Sequence, residues 1–326
     1  MNPRLLFLSI IIVAAPTGVE AQTLQYADTV IDVIGLRRRS LEDLERAVQG
    51  LDSSMTLTSA ACAIILRDSL GFADASVLEA RFRDTTWVVL TVIEPEDSGF
   101  VRFKDLPVDT LATPTRWDPL VEEITRDWQT PFRLQDFRLL SGTSDSSFGR
   151  PVEQSVLYFR DLLKTFNSDE DWNVARRVIL QDADVVHRGA AALVLSNFAE
   201  RDSTWYLLTE AVAVRGGMAA GLAEQTMRAL ARSGLFTVDW MPARDNLEAL
   251  VGGTNLFFYT SLLNVLVDTK VDKDLGRHLA RINTELLLDH IVSRGSMSRF
   301  PAHNFLTYIS GEDFGNNREA WRNWLQ

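Results

Sequence analysis

A leucine recurs at nearly regular intervals in the second half of the chain. Leu193, Leu230, Leu266 and Leu306 are separated by steps of 37, 36 and 40 residues. Small or apolar residues stand three, four and seven positions before them, which is the spacing of one helix face. A fixed period of this length is typical of stacked helix pairs, which bury each other's apolar faces. The sequence therefore predicts an α-solenoid of about four helix pairs over residues 150–326.

A shorter apolar helix is predicted before each of these leucine-bearing helices. Their apolar residues are, in chain order, Val174, Val178 and Ile179; Leu208, Ala211 and Val212; Leu247, Leu250 and Val251; and Leu287, Leu288 and Ile291. Glycines at 216–217, 252–253 and 295 fall between the two members of three pairs, where the chain must reverse. The alternative is an ordinary all-α domain in which the spacing is accidental.

The end of the chain carries a more specific pattern. Residues 311–315 read Gly-Glu-Asp-Phe-Gly, and Trp321 and Trp324 follow. Together with the helix repeat, this ending resembles the bacterial HEAT-like repeat family over roughly the last 150 residues. The repeats depart from that family in lacking a regular Asp-Pro opening, which leaves the repeat number open by one. The two tryptophans are expected to cover the last pair, whose outer face has no further neighbour.

Residues 1–21 have the pattern of a secretory signal peptide. Arg4 precedes an apolar run from Leu5 to Ala15, and a small residue, Ala21, ends the segment. A helix of this run would rise only about 16 Å, roughly half of the hydrocarbon core. A cleaved signal is therefore favoured over an uncleaved anchor, which is the alternative. No cysteine follows the run to accept a lipid, so the expected location is periplasmic or extracellular.

Composition narrows the classes of partner. The chain is 46% hydrophobic and 24% charged, as folded domains are, and its formal net charge is −11. Such an acidic chain argues against binding to nucleic acid or to anionic lipid headgroups. No stretch after the first segment is long and apolar enough to span a membrane. The single cysteine, Cys62, cannot form an intrachain disulfide and is expected to be buried in the core.

Residues 24–104 predict a small α+β domain with the order strand, helix, helix, strand, strand. The first strand is 29–34, and Ser40 and Asp43 cap the helix that follows. A second helix covers 59–70 and ends at Gly71. Residues 78–83 alternate between apolar and charged, which indicates a strand with one exposed face. Residues 87–93 are apolar on both faces, which predicts the central strand of the sheet.

This order resembles a POTRA domain, the small module of outer-membrane barrel assembly and related export machines. The matching residues are Ile31, Val33, Gly35, Leu44 and the sequence Gly-Phe-Ala-Asp-Ala at 71–75. The chain departs from barrel-assembly proteins in having one copy of the module and no series of amphipathic barrel strands. A small α+β sandwich of another family is the alternative.

The segment 105–149 is expected to connect the two domains. Four prolines punctuate it, and Asp118 with Pro119 predicts the start of a short helix. The small polar residues at 142–147 are typical of a flexible hinge.

No catalytic, cofactor-binding or metal-binding residue is predicted from the sequence. No two of the four histidines, His187, His278, His290 and His303, have the spacing of a zinc helix. Lysines interrupt the acidic cluster of Asp268, Asp272 and Asp274, so an EF-hand is not predicted. The acids at 169–171 begin a helix, where they complement its dipole. The chain also lacks a nucleophile elbow and a glycine-rich phosphate loop.

The expected function is therefore non-enzymatic: an exported scaffold that binds a protein partner through its solenoid, in envelope assembly or secretion. A solenoid offers a concave face, and the small domain offers a sheet edge that could accept a partner's strand. A hydrolase-type enzyme with a site between the domains, built from dispersed acids and a histidine, is the alternative. An accessory domain for a protease or a transporter is a third possibility.

Overall fold

A four-stranded sheet near the N-terminus is followed by a mostly helical region. The computed structural model describes residues 22–26, 28–82, 84–134 and 154–326. The predicted signal segment 1–21 and the predicted hinge 142–147 lie outside these residues. The class is therefore mixed α and β, as the sequence predicted.

The sheet has the strand order β1-β2-β4-β3. Its strands are β1 Gln22–Tyr26, β2 Thr29–Ile34, β3 Asp74–Phe82 and β4 Thr85–Ile93. β2 and β4 pair in parallel, while the other two pairings are antiparallel. The apolar strand β4 lies between β2 and β3, which confirms the prediction of a central strand. The predicted order lacked β1, which is too short and too polar to give a strand signal.

Two helices cover one face of the sheet. α1 Leu41–Leu51 begins after Ser40, whose side chain accepts the Asp43 N–H. α2 Ala60–Asp68 is capped in the same way by Ser59 and carries the buried Cys62. Both helices thus begin at the residues that the sequence predicted, because a serine there satisfies a free N–H group of the first turn.

After the sheet come twelve α-helices whose bounds lie within the described residues. In chain order they are α3 Asp118–Arg126, α4 Gln154–Leu163, α5 Asp169–Gln181, α6 Val185–Leu195, α7 Asp202–Ala213, α8 Gly217–Ala231, α9 Arg244–Gly252, α10 Tyr259–Asp268, α11 Lys273–Ile282, α12 Thr284–Val292, α13 Ser296–Ser310 and α14 Arg318–Leu325. The helix predicted at Asp118 is observed as α3.

Most of these helices pack in two rows. In the first row, α6, α8, α10 and α13 contact one another in series; in the second row, α5, α7, α9 and α11 do the same. The four recurrent leucines lie one on each helix of the first row. Leu193, Leu266 and Leu306 are fully buried, whereas Leu230 is only partly buried. The other residues predicted to face inward on α8, Leu222, Ala223, Thr226 and Met227, are buried, so only the recurrent leucine itself departs from the prediction.

The last helix pair differs from the prediction. The sequence paired the helix of Leu287 with that of Leu306, but the fourth helix of the second row is α11, which packs against α9. Helix α11 was missed because only a narrow stripe of its ten residues is apolar, with Leu275 and Leu279 buried between charged positions. The extra helix α12 packs against α13 and contacts β2. The final step between the recurrent leucines therefore spans two helices, α11 and α12, instead of one.

Helix α14 covers the end of the helical stack, as the sequence predicted for its tryptophans. Trp321 is fully buried, and its ring lies 6.3 Å from that of Trp324 in an edge-to-face arrangement. The helix packs against α11 and α12.

The sheet is packed directly against the last helices. Ile34, Val89 and Ile93 belong to the same apolar cluster as the buried residues of the helical region. Buried Asp32 on β2 accepts hydrogen bonds from the Ser293 hydroxyl at 2.8 Å and from the Gly295 N–H at 2.5 Å. One face of the sheet therefore packs on the helical core, while the other face forms a separate apolar cluster with α1 and α2.

A segment that we call the strap, residues 100–117, runs back along the helices in the reverse of chain order. The Arg102 N–H donates to Thr254 at 2.7 Å, between α9 and α10. The Lys104 N–H then donates to the Ala213 carbonyl at 2.9 Å, and the Ala183 N–H donates to the Asp109 carbonyl at 2.6 Å. After the strap, α3 packs against α6. The strap thus contacts the third, second and first helix pairs in turn.

Candidate functional site: a groove between the sheet and the first row of helices

Three neighbouring cavities form a groove along the first row of helices. The first cavity has a volume of about 550 Å³, the middle one about 580 Å³ and the distal one about 350 Å³. Glu224 and Phe257 line both the first and the middle cavity. Arg228 and Asn264 line both the middle and the distal cavity. Because adjacent cavities share walls, we treat the three as one groove.

One wall of the groove is strand β3, and the opposite wall is helical. Asp74 and Ala75 line the first cavity, and Leu78 and Glu79 line the middle one. Helices α8, α10 and α13 supply the facing residues. β3 is the edge strand of the sheet, so it follows the groove over much of its length.

Two phenylalanines give the groove exposed apolar surface. Phe257, in the turn before α10, is 52% exposed and lines two cavities. Phe300, on α13, is 54% exposed and lines the middle cavity. Large apolar side chains that stay exposed beside a concavity are typical of binding surfaces.

The first cavity combines apolar walls with fixed charges. The Arg67 guanidinium donates to the Ala75 carbonyl at 3.2 Å and lies 3.7 Å from the Asp74 carboxylate. Asp74 also accepts the Leu256 N–H at 2.9 Å, and burial raises the pKa of its carboxyl group. The Arg215 guanidinium stacks over the Phe103 ring at 4.3 Å. These contacts hold both cations in place at the cavity wall.

The backbone at this wall is also open. Gly216 and Gly217 have φ angles of +70° and +88°, and α8 begins without a side-chain cap. A Cβ atom at either glycine would meet nothing within 4 Å, so the cavity reaches the backbone itself. The free N–H groups of a helix start favour a negative or hydrogen-bond-accepting group nearby.

Charged side chains continue along the helical wall. The Arg228 guanidinium lies 3.3 Å from the buried Glu224 carboxylate, where the first and middle cavities meet. Arg232 and Asp268 line the distal cavity, where burial raises the pKa of the Asp268 carboxyl group. The groove therefore carries both signs of charge and favours no single charge of ligand.

The four histidines lie away from the groove. His187, His278 and His303 each contact one carboxylate, from Asp182, Glu248 and Asp313, at 2.9, 2.8 and 2.8 Å. None of the four lines a groove cavity. The convergence of a histidine with several carboxylates in a deep pocket, which the enzyme alternative requires, is not observed in the described residues.

His290 is buried in the helical core. Its ring stacks on Tyr259 with centroids 4.7 Å apart, and neither ring nitrogen has a hydrogen-bond partner among the described residues. Burial lowers the pKa of the His290 imidazole from 6.5 to about 3. The side chain is therefore neutral at physiological pH and packs as an apolar ring would.

The remaining residues singled out from the sequence have structural contacts. Asp272 caps α11 by accepting the Asp274 and Leu275 N–H groups at 3.0 Å. Asp171 forms a capping box with Ser168 at the start of α5. Burial raises the pKa of the Cys62 thiol to about 11, so it stays protonated. Within the described residues, no three histidine, cysteine or acidic side chains could hold a metal ion.

The residues of the groove carry no sequence pattern that would predict a binding site. Arg67 lies near the end of a predicted helix and Arg215 follows one, and neither belongs to a motif. Phe257 lies in a turn outside the helix periodicity. Residues 216–217 were recognised only as a glycine pair between two helices. The one available signal was an aromatic residue, Phe257, four positions after the second glycine pair, 252–253.

Comparison with known proteins identifies no relative. No family model, curated protein or solved structure matches the chain. Within the described residues, no helix combines the length and the hydropathy needed to cross a bilayer.

Proposed function

We propose that this protein is a non-enzymatic scaffold that binds a segment of a partner polypeptide in the groove. The observation that carries the proposal is the position of Phe257, which is half-exposed and borders two of the cavities. Aromatic side chains in such positions commonly supply much of the binding free energy of protein interfaces. The mixture of apolar, cationic, anionic and backbone groups around it suits a polypeptide better than a small ion.

The larger architecture that we propose is a HEAT-like solenoid joined to a POTRA-like domain. Its support is the series of contacts along each row of helices and the placement of the recurrent leucines on one row. Stacked helix pairs commonly bind their partners along an extended concave face. The groove lies on the row that carries those leucines.

We further propose that the protein acts outside the cytoplasm, in envelope assembly or secretion. The support is the signal-like pattern of residues 1–21 together with the two resemblances. Detection of the protein in the periplasmic or culture fraction of its host, with an N-terminus near residue 22, is the expected result. Retention in the cytoplasm with an intact N-terminus would contradict it.

The binding proposal can be tested with a displayed library of random linear peptides. We expect the wild-type protein to enrich peptides that bind it, and we expect Phe257→Ser to weaken their binding about tenfold or more, as loss of an interface anchor does. Titration of selected synthetic peptides by fluorescence anisotropy measures the change.

Leu235→Ser is the matched control. Leu235 is 80% exposed and lines none of the three cavities, so its replacement removes similar apolar surface elsewhere. The same thermal unfolding midpoint in both variants would show that neither is misfolded. Equal binding by both variants, or no enriched peptide at all, would rule out the groove as a polypeptide site.

A further inference from the structure

The outer part of strand β3 is an unpaired sheet edge. β3 pairs with β4 on one side, and no other described strand lies on its other side. An open edge presents free backbone N–H and C=O groups, which readily pair with another strand. Natural proteins therefore cover such an edge, block it with charges or use it for assembly.

Two exposed charges of opposite sign occupy this edge strand. Glu79 and Arg81 are both exposed and stand two residues apart, so they lie on the same face of the sheet. Neither forms an ion pair with another described residue. Ala80 lies between them.

This arrangement is complementary to itself under twofold symmetry. If two β3 strands pair antiparallel about an axis at Ala80, Glu79 of each copy stands opposite Arg81 of the other. Directly opposite charges stabilise an antiparallel pair, whereas like charges there destabilise it. A twofold interface uses the same surface patch on both subunits, so the pairing of Glu79 with Arg81 occurs twice in the interface.

We propose that β3 pairs with β3 of a second copy of this chain, in the register centred on Ala80. The four-stranded sheets of the two copies then join into one continuous sheet. This pairing extends beyond the proposed function, because the partner is a second copy and the surface is the end of an edge strand. It uses residues 78–82. Leu78 and Glu79 also line the middle cavity, so the second copy would cover that part of the groove and leave the Asp74 end of β3, with the first cavity, free.

Charge exchange provides the test. We expect the wild-type chain to associate in a concentration-dependent manner in sedimentation velocity. Glu79→Arg should abolish association because it places arginine opposite arginine, and Arg81→Glu should do so by placing glutamate opposite glutamate. An equimolar mixture of the two variants should associate as heterodimers, since both opposed pairs are then restored. The chain carrying both substitutions should again form homodimers.

Each other outcome overturns the proposal. A wild-type chain that stays monomeric at every concentration would show that the two charges instead keep strands away from the edge. Dimers that persist in both single variants would place the interface elsewhere. Failure of both the mixture and the double variant to associate would exclude this register. Circular dichroism of each variant alone shows that the substitutions leave the fold intact.

Discussion

Single buried side chains fix the helical core, and they differ in how much each contributes. Leu266 is fully buried on α10, whereas Leu230 occupies the corresponding position of α8 and is partly exposed. We expect Leu266→Ala to lower the free energy of unfolding by about 2–5 kcal/mol, because it removes core contacts and leaves a cavity. Leu230→Ala should lower the free energy of unfolding by less, because Leu230 is only partly buried. Urea denaturation of both variants measures the difference, and equal losses would contradict the burial described above.

His290 makes stability depend on pH. The unfolded imidazole binds a proton near pH 6.5, but the folded one does so only near pH 3. Between these values the unfolded state binds more protons, so stability is complete above pH 6.5 and falls as the pH is lowered through that window. The loss should approach about 1.4 kcal/mol per pH unit at its steepest.

His290→Phe is the comparison variant for this effect, because it keeps a ring against Tyr259 and removes the titrating group. Denaturation midpoints of the two proteins across the acidic range should diverge as the pH falls. Parallel profiles would show that the unfolding free energy does not depend on this imidazole.

For single residues, the sequence predicted well which side chains are buried but poorly which residues they contact. The periodicity located the fully buried Leu193 and Leu306, and the serines at 40 and 59 marked two helix starts. It could not place Arg215 over Phe103, because that contact joins the strap to a turn more than a hundred residues later. Helix and strand periods report which face is buried, not which distant segment covers it.

Whole elements are positioned by close backbone approaches. Gly252, at the end of α9, touches the strap: a Cβ atom there would lie 2.7 Å from the Phe100 carbonyl oxygen. We expect Gly252→Ala to destabilise the protein by about 1–3 kcal/mol, since overpacking forces the backbone to shift. Thermal or chemical unfolding measures this loss of stability.

Gly50→Ala makes the same change where space is free. Gly50 lies in α1, and an added Cβ would meet nothing within 4 Å. Alanine there should stabilise the helix by up to about 1 kcal/mol, because glycine is the poorer helix former. We expect Gly252→Ala to lower the free energy of unfolding and Gly50→Ala to raise it. If neither substitution destabilises the protein, the strap does not contact α9 closely.

The elements that the sequence missed share a cause. β1 has five residues, and its hydrogen bonds to β2 define it as a strand more than its own composition does. Helix α11 is charged over most of its surface and shows only a narrow apolar stripe. Short or strongly polar elements derive their stability from tertiary packing, which no local pattern reports.

On the scale of the whole molecule, one face of the sheet is packed on the helices. Ile34, Val89 and Ile93 pack into the helical core, and Asp32 binds the turn before α13. We therefore expect a single unfolding transition in calorimetry, with equal calorimetric and van't Hoff enthalpies. Two separate transitions would show that the regions predicted as 24–104 and 150–326 unfold independently.

The candidate site shows where sequence-based prediction ends. Both kinds of surface that the sequence suggested, a helical face and a sheet edge, border the groove. Their juxtaposition could not be predicted, because it depends on the sheet packing against the last helices after the chain has passed α9 to α12. Arg67 and Phe257 belong to one cavity only through that packing.

The strap affects how the stack of helices can deform. A stack in which each helix pair contacts only its neighbours can bend and twist, because each interface between pairs can shift slightly. Here the strap is hydrogen-bonded to three successive helix pairs, so bending the stack would stretch or compress the strap. We expect these attachments to resist changes in the width of the groove, so that a ligand would have to fit the opening as it stands.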